Sequence, residues 1–366
     1  MRETTRLALL AWMGLAIGAA GAGACGDSGS CAETASCTPG ASGSEGGSET
    51  STPGDAMVAV DATQPEGAAP ESGGSDSSSD ATGPQDAAGD KTAPDASPDV
   101  VGGPCTLSNP FGAPTAVSTL DGPNPTTINA QVELSADQLT GYFESSRVSP
   151  GSHVFSTTRA TTQDPFGSIT EIASLNFQAD TWNLTMTGDL LTAYFVTDQG
   201  TGGTDEMWVA TRPAPTGAFG QPTLVSSLFV KGEQPFVRAD GQVLYYTAES
   251  TLGYTVNRVA FGPTPAVSTV MLSSTATPDV GVPVVDPTDT ILYFAAFDHT
   301  SADTYDIWTA TRTTANDPWG TAVPVTELNT TGFDAPSWVS PDGCTLYFSH
   351  SPQGSGTTEI YMAVKP

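Results

Sequence analysis

Residues 340–349 read Ser-Pro-Asp-Gly-Cys-Thr-Leu-Tyr-Phe-Ser, and this stretch decides the fold. The Pro-Asp-Gly segment favours a tight turn, because proline fixes its own φ and glycine accepts a positive φ. The Thr-Leu-Tyr-Phe run that follows is typical of a strand, since aromatic and β-branched side chains suit a pleated surface. The stretch therefore predicts a turn that leads into a buried antiparallel strand.

The same turn and strand recur along residues 104–366 with a period of about 50. The strand tyrosines are Tyr142, Tyr194, Tyr245, Tyr293 and Tyr347, spaced 52, 51, 48 and 54 residues apart. An alternating run that ends in a basic residue follows most of them, and an aromatic-Gly pair opens a further strand. Four strands per repeat of this length are typical of a β-propeller blade.

Five repeats predict the fold class: all-β, a five-bladed β-propeller of four-stranded blades. The sequence ends directly after the third strand of the last repeat, so we expect residues 110–120 to supply the missing outer strand. This closure removes exposed sheet edges. Cys105 and Cys344 would then lie in the same blade, where we expect a disulfide; two independent thiols are the alternative.

The last repeat carries a family resemblance. Residues 340–349 and Thr358–Ala363 resemble the WD40-like PD40 repeat of TolB-type propellers, and Asp306–Ala310 matches the third strand of that repeat. The resemblance runs through residues 104–366 and is strongest in the last two repeats. It implies a periplasmic or cell-surface propeller that acts as a protein-binding or scaffold module, without catalytic residues of its own.

The N-terminus has the features of an export signal. Two arginines precede an apolar run from Leu7 to Ala24, and a cysteine, Cys25, follows small residues. This order is typical of a secretory signal. It also resembles a bacterial lipobox, although Ala22 stands where that pattern usually has leucine. We expect residues 1–24 to be a lipoprotein signal peptide and Cys25 to be the lipid anchor on the outer membrane. Plain secretion and an uncleaved anchor helix are the alternatives.

Residues 25–103 have the composition of a linker. Between residues 26 and 103 there are 14 acidic residues, one basic residue, Lys91, and no aromatic residue. Such a segment buries too little apolar surface to offset the entropy of ordering it. We therefore expect a disordered acidic tether between the anchor and a propeller domain at 104–366.

The charge balance excludes some partners. The chain has 40 acidic and 11 basic residues, a formal net charge of −29. Nucleic-acid binding needs clustered cations, so it is excluded. We expect membrane contact only through the lipid anchor, and a monomer.

Candidate ligand residues lie where the inner strands of the repeats begin, because those ends meet at one mouth of a propeller channel. They are Asn129, Asp180, Glu233, Asp279 and Asp334, with Trp182 and Trp338 as stacking candidates. Oxygen ligands of this kind suit Ca²⁺ or a basic peptide group. An acidic composition alone would also place some carboxylates there.

The sequence therefore favours a non-enzymatic envelope lipoprotein that binds a protein or peptide at its channel face. No cofactor is expected, and the identity of any metal ion stays open. The alternative is a carbohydrate-binding or glycoside-hydrolase propeller that uses channel carboxylates, for example Glu233 with Asp334.

Overall fold

The structure is a computed structural model. It describes the chain in nine stretches, which are 105–148, 151–176, 180–197, 206–225, 232–250, 253–262, 265–272, 279–298 and 304–366. The predicted signal peptide, the anchor Cys25 and the linker lie outside the described residues. Within these stretches, no helix is long and apolar enough to cross a membrane.

Twenty strands form five antiparallel sheets of four strands each, which confirms the predicted five-bladed β-propeller. The first blade contains β2 (Asn129–Leu134), β3 (Thr140–Ser145), β4 (His153–Thr158) and β5 (Gly167–Glu171). The second contains β6 (Thr181–Met186), β7 (Thr192–Thr197), β8 (Glu206–Thr211) and β9 (Thr223–Leu224). The third contains β10 (Gly232–Val237), β11 (Val243–Ser250), β12 (Gly253–Ala260) and β13 (Ala266–Thr269).

The fourth blade contains β14 (Val280–Val285), β15 (Ile291–Asp298), β16 (Thr304–Thr311) and β17 (Val323–Pro324). The fifth contains β18 (Phe333–Val339), β19 (Thr345–Ser351), β20 (Glu359–Val364) and β1 (Thr115–Ala116). The inner strands β2, β6, β10, β14 and β18 line the channel. The outer strands β9, β13 and β17 begin several residues after their aromatic-Gly pairs, which occupy the approach to the strand instead of its first position.

The repeated basic residue holds neighbouring blades together. Arg212, just after β8, lies over the ring of Phe219 at 4.4 Å and donates to the carbonyl of Leu190 at 2.7 Å. Its Nη2 also donates to the Tyr142 hydroxyl of the preceding blade at 2.9 Å. Cation–π contact and hydrogen bonding thus explain why the basic residue, the aromatic-Gly pair and the strand tyrosine repeat together.

Each inner strand contains a register shift in its pairing with the second strand. At this shift four blades place a non-glycine residue at positive φ: Gln131 (48°), Asn183 (52°), Gln234 (51°) and Val282 (51°). Such bulges release a backbone N–H from the ladder. The released groups then need acceptors, because a buried unpaired N–H is costly.

A side chain of the preceding blade accepts three of these N–H groups. Asn183 N donates to Glu144 Oε2 at 2.7 Å, Gln131 N to Ser349 Oγ at 3.1 Å, and Val282 N to Thr247 Oγ1 at 3.0 Å. Each acceptor stands two residues after the strand tyrosine. In the fifth blade the bulge residue is Pro336, which has no N–H, and the matching position of the fourth blade is alanine, which has no acceptor.

The ring closes between the ends of the propeller sequence, as predicted. Strand β1 pairs with β20, with Thr115 opposite Met362 and Ala116 opposite Tyr361. Cys105 and Cys344 form a disulfide, with a Cα–Cα distance of 5.9 Å, and Lys365 Nζ donates to the carbonyl of Leu107 at 2.7 Å. The expected disulfide is therefore confirmed, and the alternative of free thiols is not adopted.

Removing the closure should unfold or strongly destabilise the domain. The disulfide links residues 239 apart in sequence, and the chain-entropy model gives such a loop about 5 kcal/mol. The variant Cys105→Ala/Cys344→Ala should lose stability of that order, and deletion of residues 104–122 should abolish the cooperative thermal transition. Circular dichroism melting measures both, and a native melting profile for the deletion would refute the closure.

Candidate functional site

The structure places the five residues predicted for the channel mouth at the starts of the inner strands or directly before them. Asn129, Glu233 and Asp334 lie within β2, β10 and β18. Asp180 and Asp279 directly precede β6 and β14.

Asp180 and Asp279 connect neighbouring blades. Asp180 Oδ1 accepts the backbone N–H of Ser152 at 2.6 Å, and Asp279 Oδ1 accepts that of Tyr254 at 2.9 Å. Both donors lie at the start of the third strand of the preceding blade. These carboxylates therefore satisfy backbone groups at the blade junctions.

Asn129 and Asp334 are also hydrogen-bonded within the protein. Asn129 Oδ1 accepts from Ser145 Oγ at 2.8 Å and from Arg147 Nη2 at 3.0 Å. Asp334 is fully buried and accepts from Thr330 Oγ1 at 2.9 Å and from His350 Nδ1 at 2.8 Å. Their contacts hold the local structure, and ligand binding at this mouth stays a prediction.

The two tryptophan candidates lie in different places. Trp182 is 1% exposed, so its ring faces the protein interior. Trp338 lines a cavity at the opposite end of the channel, where the inner strands end. Its ring also contacts that of Tyr347 edge-on, with centroids 5.9 Å apart.

That cavity is the candidate functional site. Its empty space, part of which is open solvent, is about 550 Å³, and its wall residues come from all five blades. The last residues of the inner strands form its wall: Leu134, Met186, Val237, Val285 and Val339. The turns that follow these strands form its rim, which carries Arg238 and Asp286. Concave, mostly apolar sites with few polar groups are typical ligand-binding sites.

Glu133 is the carboxyl group inside this cavity. Its position in β2 corresponds to Phe236 in β10 and Trp338 in β18, because each of these residues pairs with the tyrosine of the second strand. Glu133 is 7% exposed, and burial raises its pKa well above the usual range. The sequence analysis did not identify Glu133. The available signal was a carboxylate at an inner-strand position where the other four blades have an apolar residue or a threonine.

The hydroxyl of Thr185 links Glu133 to two further blades. Thr185 Oγ1 accepts the N–H of Val237 at 3.1 Å, and it donates to Glu133 Oε2 at 3.5 Å. Because one hydroxyl has a single hydrogen, the accepted bond leaves that hydrogen available to Glu133. The side chain of Glu133 is thus held from the second blade.

The only charged side chains that line the cavity besides Glu133, among the described residues, are Arg238 and Asp286. Arg238 is already paired: its Nη1 lies 3.2 Å from Asp289 Oδ2 and its Nη2 lies 2.5 Å from Asp240 Oδ2. Asp286 accepts backbone N–H groups of its own turn, including Thr290 N at 2.6 Å. No three His, Cys, Asp or Glu residues in the described part of the chain are grouped as a metal site.

The comparisons with known proteins give likeness of fold only. No family model matches the chain, and no curated protein matches it. TolB from Acinetobacter baumannii is 13% identical with a TM-score of 0.43, over 65% of this chain and 54% of that one. This chain thus spans about half the length of that TolB. An α-L-arabinofuranosidase from Podospora anserina is 11% identical with a TM-score of 0.44, over 72% of this chain and 98% of that one. At such values neither function transfers.

The prediction that the protein is not an enzyme is wrong as a conclusion from its fold. Glycoside hydrolases are among the similar solved structures, including a thermostable family 43 enzyme at 14% identity and a family 117 enzyme from Zobellia galactanivorans at 12%. A structural repeat without catalytic motifs could not exclude an enzyme, because one fold can carry many unrelated functions. TolB-type propellers are also among the similar solved structures, while the PD40 and lipoprotein assignments stay predictions.

A second buried carboxyl group should make stability depend on pH. Burial, together with the charge of Asp180, raises the pKa of Glu144 to about 7. Between its ordinary value and 7 the folded state retains a proton that the unfolded state releases, so stability falls as pH rises through this window. The shift corresponds to about 3 kcal/mol.

The variant Glu144→Gln should remove this contribution, because its amide oxygen can still accept the N–H of Asn183. Urea unfolding at pH 4.5, 6 and 7.5 measures the free energy of unfolding. The variant should gain stability relative to the wild type as pH rises. A constant difference at all three pH values would contradict the raised pKa.

Proposed function

We propose that the propeller binds a basic protein or peptide of the cell envelope over the end of its channel where the inner strands end. One side chain of the partner inserts into the cavity lined by Glu133 and Trp338. The observation that carries the proposal is the cavity itself, which takes its walls from all five blades and holds the Glu133 carboxyl group among apolar residues.

The walls suit an anchoring side chain. Phe236 and Trp338 are buried yet line the cavity, as does Met186. Aromatic rings in a desolvated pocket are typical of the few residues that dominate a protein interface. Thioether side chains adapt to the shape of what they contact.

The charge of the chain favours a cationic partner. With 40 acidic and 11 basic residues, its field attracts positive charge and repels anions. Complementary charge speeds encounter and excludes wrong partners more than it adds affinity. Specificity would then come from the side chain inserted in the cavity.

Calorimetric titration of the full-length protein tests the proposal with synthetic Gly/Ser dodecapeptides. Each peptide carries three flanking Arg or three flanking Glu residues, and a central guest residue that is Lys, Leu or Phe. At about 0.15 M salt, where charges farther apart than about 8 Å are largely screened, at least one Arg-flanked peptide should bind. Its Glu-flanked counterpart should bind at least about tenfold more weakly.

Two variants locate the binding site. Trp338→Leu, which keeps an apolar side chain in the wall, should weaken binding about tenfold, the effect of losing an interface anchor. The matched control Asp180→Asn/Asp279→Asn alters the opposite mouth and should bind normally. Loss of binding only in this control would place the site at the predicted mouth, and no binding by any peptide would overturn the proposal.

We propose that Cys25 anchors the protein to the outer membrane through lipid, with residues 26–103 as a tether. The support is the order of basic, apolar and small residues before the cysteine. Cys25→Ala should move the protein from the membrane fraction to the soluble fraction. Unchanged fractionation would remove the lipid anchor from this account.

A further inference from the structure

We infer that the cavity binds the ammonium group of a lysine side chain, with the Glu133 carboxylate as its counter-ion. The inference rests on the proposed function, since the lysine would belong to the basic partner. It adds the chemical identity of the inserted side chain and the group that recognises it.

Glu133 has no cation of its own in the described structure. Arg238, the one basic residue on the cavity, is paired with Asp240 and Asp289. The causes of the raised pKa of Glu133 are burial, which raises it, and the Thr185 hydroxyl, which lowers it. A buried carboxyl group in this situation holds a proton until a cation arrives, because an isolated buried charge is costly.

The walls match the rest of a lysine side chain. Its alkyl stem packs on apolar surface while the ammonium group seeks a polar partner. Met186 and Phe236 supply apolar surface, and Phe236 and Trp338 are aromatic residues, whose rings attract cations. Glu133, Phe236 and Trp338 occupy equivalent positions in their inner strands. The partners of the alkyl stem and of the ammonium group therefore lie close together along the channel.

The contacts of Glu133 favour lysine over arginine. Thr185 Oγ1 donates a long hydrogen bond of 3.5 Å to Oε2 and takes up one lone pair of that oxygen, so Oε1 is the less engaged acceptor. A guanidinium group binds a carboxylate best with two parallel hydrogen bonds, whereas an ammonium group is a compact point charge. One such oxygen therefore suits the ammonium group.

Binding should release a proton. Glu133 changes from the neutral acid to the carboxylate, its proton passes to solvent, and the lysine stays charged because its ordinary pKa is about 10.4. The charged and titratable groups around Glu133 are Arg238 and Asp286 on the cavity, Tyr142 on the paired strand and Glu144 two residues further along it. Arg238 and Asp286 have partners of their own, so Glu133 is the group that the ligand ionises.

The same Arg-flanked dodecapeptide tests this inference with a lysine or a norleucine guest. Norleucine keeps the alkyl stem and lacks the ammonium group. With the wild-type protein at pH 8, the lysine peptide should bind at least about tenfold more tightly than the norleucine peptide. On acidification the affinity for the lysine peptide should fall by up to about tenfold per pH unit, as expected when binding releases one proton. With Glu133→Gln, which keeps the size of the side chain, the preference and the pH dependence should disappear.

The outcomes separate the two proposals. Equal binding of both guests by the wild type, with weaker binding by Trp338→Leu, would overturn the lysine inference and leave the partner site in place. No binding of either guest would overturn both. A lysine preference that survives in Glu133→Gln would assign recognition of the ammonium group to another residue. If that variant does not fold, Glu133→Asp should still show a weakened lysine preference that depends on pH.

Discussion

Closure of a five-membered ring is the constraint on which the rest of this structure depends. A blade has two packing faces, so each must meet a neighbour, and the last must meet the first. The pairing of β1 with β20 and the Cys105–Cys344 disulfide fulfil this condition in the fifth blade, where the two ends of the propeller sequence meet. Once the ring is closed, the ends of five inner strands converge, and a channel with defined walls follows.

Contacts between blades are made by polar groups as well as by apolar packing. Arg212 and Arg312 each reach a tyrosine hydroxyl of the preceding blade, while covering an aromatic ring of their own. The inner-strand bulges add a second set of links, in which a released N–H finds a side chain across the junction, as Asn183 finds Glu144. A buried carboxyl group is therefore part of a blade junction, and burial is the main cause of its raised pKa.

The fold could be predicted from sequence because its signals repeat. The tyrosine strands, their turns and the aromatic-Gly pairs each recur in register, and residues 110–120 most simply supply the missing outer strand. The candidate site could not be predicted in the same way. Asp180 and Asp279 were identified by position, but only coordinates show that they accept backbone N–H groups. Glu133 breaks the repeat pattern and was overlooked, because its significance depends on which residues the other four blades place beside it.

Calorimetric titration of the wild-type protein with the lysine peptide, at pH 7 in two buffers of different ionisation enthalpy, tests the central claim most directly. The difference between the two observed enthalpies gives the number of protons released. The account predicts a net release of protons on binding, since a buried carboxyl group with a raised pKa must ionise to pair with the ammonium group. Binding without proton release would show that Glu133 does not receive the lysine, and would contradict the account.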